Sequence, residues 1–133
     1  MLKMADAFVI REGKILLIKR KYNPFKDKWA LPGGFIEEGE SSFAAAEREL
    51  YEETNLIGGE WAYLCVLNTK GADPRGERTS TCYLFKPDNP EAAKAMDDAK
   101  EFKWVDIEDL TSENMAFDHY KAVEAYKKNK ASY

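Results

Sequence analysis

The chain has little of what marks a secreted, membrane-spanning or nucleic-acid-binding protein. Two cysteines in 133 residues cannot build a disulfide framework. Cys65 and Cys82 lie in apolar, strand-like segments and read as buried free thiols of a reducing compartment. No apolar run approaches the roughly 20 residues that span a bilayer. The opening Met1-Leu2-Lys3-Met4-Ala5-Asp6 lacks the apolar stretch of a secretory leader, so a cytoplasmic protein with no membrane partner is expected. An excess of positive charge is missing too: the formal net charge is −4, which argues against a general nucleic-acid partner. Repeats, linkers and low-complexity tracts are absent, and the expectation is a single domain over residues 1–133, large enough for a real core.

What the chain does have is a dense acidic pattern: Gly34-x5-Glu40-x7-Arg48-Glu49-Leu50-x-Glu52-Glu53-x-Asn55-Leu56. On a helix, Glu49, Glu52 and Glu53 stand at i, i+3 and i+4 and share one face. Like charges at that spacing repel, and these sit near the helix C-terminus, where the dipole disfavours each by roughly 0.3–1 kcal/mol when exposed. Stability alone does not select such an arrangement, although acidic clusters are most often solvated faces. A hard divalent cation would justify it, since Mg²⁺ takes oxygen ligands from a few carboxylates and substrate phosphates. The preceding Leu31-Pro32-Gly33-Gly34-Phe35 supports that reading, because its glycines let the backbone approach a ligand. Ser41 or Ser42 suits the N-cap, while Phe43, Ala46 and Leu50 recur at helical spacing and give the helix a buried side.

The remaining elements follow from periodicity and turn chemistry. Residues 7–10 and 15–18 read as a β-hairpin across Arg11-Glu12-Gly13-Lys14. The acidic helix spans about 42–54, and Gly58-Gly59 breaks the chain before a strand over 61–68. A turn-rich loop covers 71–76. Strand 79–85 places Thr81, Tyr83 and Phe85 on one face, and a short strand covers 102–105. A final helix over 117–128 buries Tyr120, Val123 and Tyr126, with lysines suited to its C-terminal end. Helices among hairpin-linked strands give an α/β sandwich with a mixed β-sheet.

The segment from Gly34 to Leu56 resembles the signature of the Nudix hydrolases, which cleave a nucleoside diphosphate linked to another group. It departs once: Asn55 stands where the family usually has Gly, and Asn is the next-best left-handed cap. The resemblance implies a Nudix-type α/β/α sandwich and divalent-metal-dependent attack of water on a pyrophosphate. It assigns Glu49, Glu52 and Glu53 as metal ligands, with the carbonyl of Gly33 beside them. Mg²⁺ is the expected cofactor, and Mn²⁺ suits the same oxygens. Arg48 reaches Glu52 at i+4 and is expected to orient the catalytic carboxylates; its plain alternative is a helical ion pair worth a few tenths of a kcal/mol. Glu40 is read as orienting Arg48 or the metal site. The general base is either Glu49 or Glu52 within the signature, or a carboxylate outside it, with Asp97, Asp98 and Glu101 as candidates and Glu77 behind them.

Substrate choice lies outside the signature. Asp73-Pro74-Arg75-Gly76 with the strand after it, Asp97-Asp98-Ala99 before Trp104, and Ala116-Phe117-Asp118-His119 together resemble segments of the ADP-ribose pyrophosphatase subgroup. The resemblance implies hydrolysis of ADP-ribose to AMP and ribose 5-phosphate. Arg20, in the basic run before the glycine loop, and Arg75 are candidate phosphate-binding residues. Phe25, Trp29 and Tyr83 are candidates for stacking adenine, with core packing as the alternative. His119, the sole histidine, is not assigned a catalytic role. The alternatives are a Nudix enzyme that clears non-standard nucleoside triphosphates, and a non-catalytic ADP-ribose sensor. The sensor reading is disfavoured because all three carboxylates are intact and no length remains after Tyr133 for the added winged-helix region of such regulators. A homodimer is compatible with the resemblance.

Overall fold

A computed structural model describes residues 1–133. Seven strands and two α-helices form it: β1 (Leu2–Arg11), β2 (Lys14–Arg20), β3 (Trp29–Ala30), β4 (Gly33–Phe35), α1 (Ser42–Thr54), β5 (Glu60–Leu67), β6 (Arg78–Lys86), β7 (Ala99–Asp106) and α2 (Tyr120–Asn129). No helix is long and apolar enough to cross a membrane.

The sheet is mixed. β1 runs parallel to β6, from Leu2 opposite Arg78 to Val9 opposite Phe85, and β6 pairs antiparallel with β5. On its other edge β1 makes only two hairpin pairs with β2, Ile10 with Ile15 and Arg11 with Lys14. β2 then diverges to pair with β7 along its length and with β3. The glycine segment fills the gap: β4 pairs with β1, and Ala7 N donates to Pro32 O at 2.8 Å. This split in the sheet carries the glycine loop into the heart of the fold.

Period-2 alternation along β1 sends its side chains to two cores. Phe8 and Ile10 join Leu17, Leu84, Ala122 and Val123 under α2. Ala5, Ala7 and Val9 face the other way, against Ala45, Ala46 and Leu50 of α1. The helices therefore cover opposite faces, and β1, buried from Met4 to Ile10, is apolar on both sides apart from Asp6.

Helix α1 has the expected bounds. Ser41 Oγ accepts from Ala44 N at 3.0 Å, and Asn55 takes the left-handed conformation at φ 66° with its N–H on Tyr51 O. Three expectations need correction. β1 begins at Leu2, because its first half is tied to β4 and β6, pairings that local sequence does not announce. β7 runs from Ala99 rather than 102, since its polar residues alternate along a partly exposed strand paired with β2. α2 starts at Tyr120 rather than Phe117, because Phe117 has φ 53° and cannot be helical. Of the aromatic residues expected to be buried on α2, Tyr120 and Tyr126 are only half-buried, while Ala122 and Val123 are fully enclosed.

Candidate active site

Helix α1 lies over the glycine loop, and the contacts between them are tight. A Cβ on Gly34 would sit 2.6 Å from Glu49 Oε1, and one on Gly33 would collide with the Asp6 carboxylate and the Ala5 carbonyl. Only glycine permits this approach. It lets Gly33 N donate to Glu53 Oε2 at 2.8 Å, so the loop and the helix carboxylate fix each other.

Glu53 is 3% exposed and has no cationic side chain within ion-pair distance. Burial, then the neighbouring Glu49, push its carboxyl well above the ordinary range. Glu49 is raised too, by burial, against the opposing pull of Arg48. Two neighbouring carboxylates, one of them enclosed, disfavour being charged together, and a bound cation would relieve both. That donor set fits a hard divalent ion. No three acidic, histidine or cysteine side chains converge into a ready cation cage; Glu49 and Glu53 converge as a pair.

Glu52 is diverted outward. Its side chain is 44% exposed and pairs with Arg48 at 3.2 Å. Arg48 is the organising cation of this face. It forks onto Glu40 from Nε (2.8 Å) and Nη2 (3.0 Å), bonds Glu49 from Nη1 at 2.8 Å, and reaches the Phe35 carbonyl at 3.0 Å. The Arg48 hydrogen bonds pull Glu40 down to about 2, helped by the Glu37 N–H. Glu40 thus anchors the arginine that holds Glu49, a link between loop and helix.

A cleft of about 280 Å³ opens over this pair, lined by Gly33, Gly34 and Glu49 on one side and by Arg20, Arg75 and Asp98 on the other. Arg20 arrives from the end of β2 and Asp98 from the residue before β7. Arg75 comes from the loop between β5 and β6, held by Asp73, to which it donates from Nε (3.1 Å) and Nη2 (2.8 Å). Burial, then the charge of Arg75, pull Arg20 below its ordinary value. Cations that crowd each other across from acids form a site shaped for an anion bound with a metal.

Six of the residues singled out in the sequence are not brought here. Trp29 lies in β3 with Lys103 Nζ 4.0 Å from its ring centre and Lys19 at 5.7 Å. Tyr83 shares a hydrogen bond with Ser42 Oγ at 2.7 Å and packs in a separate aromatic group with Phe43 and Trp61. Glu101 pairs with Lys19 at 3.3 Å, across the β2–β7 ladder. Asp97 is exposed and does not line the cleft. Glu77 is also exposed, with its carbonyl accepting from Leu2 N. Phe25 lines a neighbouring hollow with Pro74 and Arg75.

The sequence reading missed a buried polar network beneath the cleft. Asp6, Asp73, Arg78 and His119 are each under 5% exposed. Ser80 Oγ donates to Asp6 Oδ2 at 2.5 Å, and Arg78 lies 3.4 Å from Asp73 and 3.7 Å from Asp6. Leu31 N donates to His119 Nδ1 at 3.0 Å, while His119 Nε2 lies 3.4 Å from Asp6 Oδ2 and 3.2 Å from Arg78 Nη2. The available signal was Asp6, a lone acid inside an apolar run.

A family model described as NUDIX domain matches residues 2–126. The chain is 44% identical over 121 residues to an ADP-ribose pyrophosphatase of Methanocaldococcus jannaschii, covering 91% of this chain and 70% of that protein. The NUDIX domain of Shewanella oneidensis NrtR, solved in complex with ADP ribose, superimposes with a TM-score of 0.83 at 29% identity, covering 98% of this chain and 88% of that one. A bifunctional NMN adenylyltransferase/ADP ribose pyrophosphatase from Francisella tularensis, complexed with AMP and a Mn ion, superimposes with a TM-score of 0.79 at 33% identity. This chain is covered to 96% in that match but spans only 41% of the Francisella chain.

Proposed function

The chain belongs to the Nudix family, and from that premise we propose that it hydrolyses the pyrophosphate of ADP-ribose to AMP and ribose 5-phosphate. The observation that carries the reading is the enclosed Glu53, with no cationic side chain of its own, beside Glu49, which lines one cleft with Arg20 and Arg75. ADP-ribose is favoured as substrate by the relative named for that activity and by the neighbour solved with ADP ribose.

Glu49, Glu53 and the Gly33 carbonyl would hold Mg²⁺, with Glu52 beside them; Mn²⁺ suits the same oxygens. When bound, such a cation supplies charge neutralisation at the pyrophosphate oxygens and a lower pKa for the attacking water. Arg48 keeps Glu49 oriented and partly offsets the burial that opposes its charge. Arg20 and Arg75 bind the anionic oxygens and align the anhydride for in-line attack. Asp98 is the best-placed base outside the signature, since of the three candidates it alone lines the cleft. It takes the proton as the water oxygen bonds to phosphorus and the anhydride P–O bond breaks. A second reading, binding of ADP-ribose without cleavage, is favoured by the likeness to the NrtR domain.

The deciding experiment incubates the protein with Mg²⁺ and ADP-ribose, other nucleoside diphosphate sugars and nucleoside triphosphates, and follows AMP and phosphate products. AMP release from ADP-ribose that Glu53→Gln abolishes supports the proposal. Cleavage of triphosphates alone overturns the substrate, and binding without cleavage overturns the enzyme in favour of a sensor.

A further inference from the structure

Three guanidinium groups, Arg20 from the end of β2, Arg75 from the loop entering β6 and Arg78 from the start of β6, gather on one aromatic ring. The centre of Phe117 lies 4.1 Å from the guanidinium carbon of Arg78, 4.9 Å from that of Arg20 and 5.8 Å from that of Arg75. All three fall within the range at which the negative face of an aromatic ring attracts a cation. Like charges do not assemble at such spacing without compensation. Arg78 has its own, being enclosed beside Asp73 and Asp6. Arg75 shares the Asp73 carboxylate and also lies 5.2 Å from the centre of the Phe35 ring, but like Arg20 it keeps free N–H groups. Arg20 donates only its Nε, to Pro24 O at 2.6 Å, and Arg75 gives Nε and Nη2 to Asp73. Both Nη groups of Arg20 and the Nη1 of Arg75 bond no protein acceptor, and both residues line the cleft.

The ring is itself firmly placed. Phe117 holds a left-handed φ of 53°, a conformation that persists in a bulky residue only when its surroundings fix it. Ala116 N donates to Trp29 O at 2.7 Å, Asp118 Oδ2 accepts from Thr69 N at 3.1 Å, and His119 Nδ1 accepts from Leu31 N at 3.0 Å. Phe25 meets the ring edge-on at 4.7 Å. Residues 116–119 thus pin the ring to β3, to the segment after β5 and to the glycine loop.

We infer that Phe117 is a positioning residue for substrate binding: its ring is the shared platform that holds the free N–H groups of Arg20 and Arg75 together over the cleft, where they receive the oxygens of a pyrophosphate. The inference rests on the proposed pyrophosphate chemistry of that cleft. A leucine would fill most of the space but offers no flat, electron-rich face, and the two arginines would spread apart. A tyrosine would keep the face.

The test is a double-mutant cycle on Phe117→Leu and Arg75→Ala, read by steady-state kinetics on ADP-ribose with Mg²⁺ and by calorimetric binding of inorganic pyrophosphate. Phe117→Leu is expected to raise KM and the pyrophosphate Kd roughly tenfold, as loss of aromatic–cation contact predicts, with kcat changed by no more than about threefold. Phe117→Tyr stays near wild type. The double variant loses less than the product of the two single losses, because part of the ring's effect runs through Arg75 and the rest through Arg20. Leucine at 117 with unchanged KM and Kd, or losses that multiply in the double variant, overturns the inference. Should Phe117→Leu fail to fold, Phe117→Met carries the same expectation. If wild type leaves ADP-ribose uncut, the substrate reading fails, and the pyrophosphate cycle still decides the role of Phe117.

Discussion

Glu53 spends its charge where folding least wants it, 3% exposed, beside Glu49 and with only one backbone N–H as partner. Replacing it by Gln keeps the shape and an oxygen for Gly33 N, and removes a carboxyl whose ionisation burial and Glu49 both oppose. Glu53→Gln should therefore melt at or above the wild-type temperature in metal-free buffer. It should still lose turnover roughly a hundredfold or more, about 3 kcal/mol of transition-state stabilisation. Melting curves and AMP release check the two halves, and retained turnover with Mg²⁺ would remove Glu53 from the site. Asp98 makes a contrasting case. If it is the base, Asp98→Asn lowers kcat by about 10²–10⁴-fold with KM little changed; a full-rate variant would return the role to Glu49 or Glu52. That Glu49 and Glu53 share one face of α1 was legible from their spacing. The outward turn of Glu52 was not, because it depends on how Arg48 divides its donors among Glu40, Glu49 and Glu52.

At the scale of the element, α1 was the most legible part of the chain. Its cap serine, apolar spacing and terminal asparagine are local signals, and local hydrogen bonds satisfy them. The C-cap offers a clean check, since Asn55 sits at φ 66° and touches no candidate ligand. Asn55→Gly should change stability by about 0.5 kcal/mol or less, whereas Asn55→Ala should cost about 1–2 kcal/mol for the left-handed backbone. Urea unfolding distinguishes them, and equal losses would show that the Asn55 side-chain bond to the Ala92 carbonyl matters more than the backbone. β7 and α2 were less legible for opposite reasons. β7 takes its length from pairing with β2, while α2 is shortened by a left-handed residue that helical periodicity does not reveal.

Across the whole molecule, the polar network under the cleft joins β1, β6, the Asp73 loop and the start of α2. Burial works against the charges of Asp6 and Asp73. For Asp6, His119, Arg78 and Ser80 overcome it; for Asp73, Arg75 and Arg78 do so, and both carboxyls are held below the ordinary aspartate range. A carboxylate lowered on folding stabilises the protein fully above its unfolded pKa, and that share is lost as pH falls through the lowered one. Wild-type stability from these two groups should thus hold above about pH 4 and decline below it. Arg78→Met strands two buried carboxylates and should cost roughly 3–5 kcal/mol at neutral pH. The deficit should narrow under acid as those carboxylates protonate. Denaturation at a series of pH values tests this, and a deficit independent of pH would assign the loss to packing. Divalent cation should raise the melting temperature of wild type by mass action and do so far less for Glu53→Gln.

The sequence by itself determined the acidic helix, its caps, the glycine loop before it and the metal-dependent chemistry they imply, because each is written in residues close along the chain. Only the tertiary structure decided which distant residues share the site. Arg20, Arg75 and Asp98 meet at the cleft because β2 leaves β1 after two pairs and lets the glycine segment into the gap. Trp29 and Tyr83 are held elsewhere, one beneath two lysines and the other in an aromatic group beside α1. Strand pairing over long sequence separations sets those positions, and no local pattern encodes it.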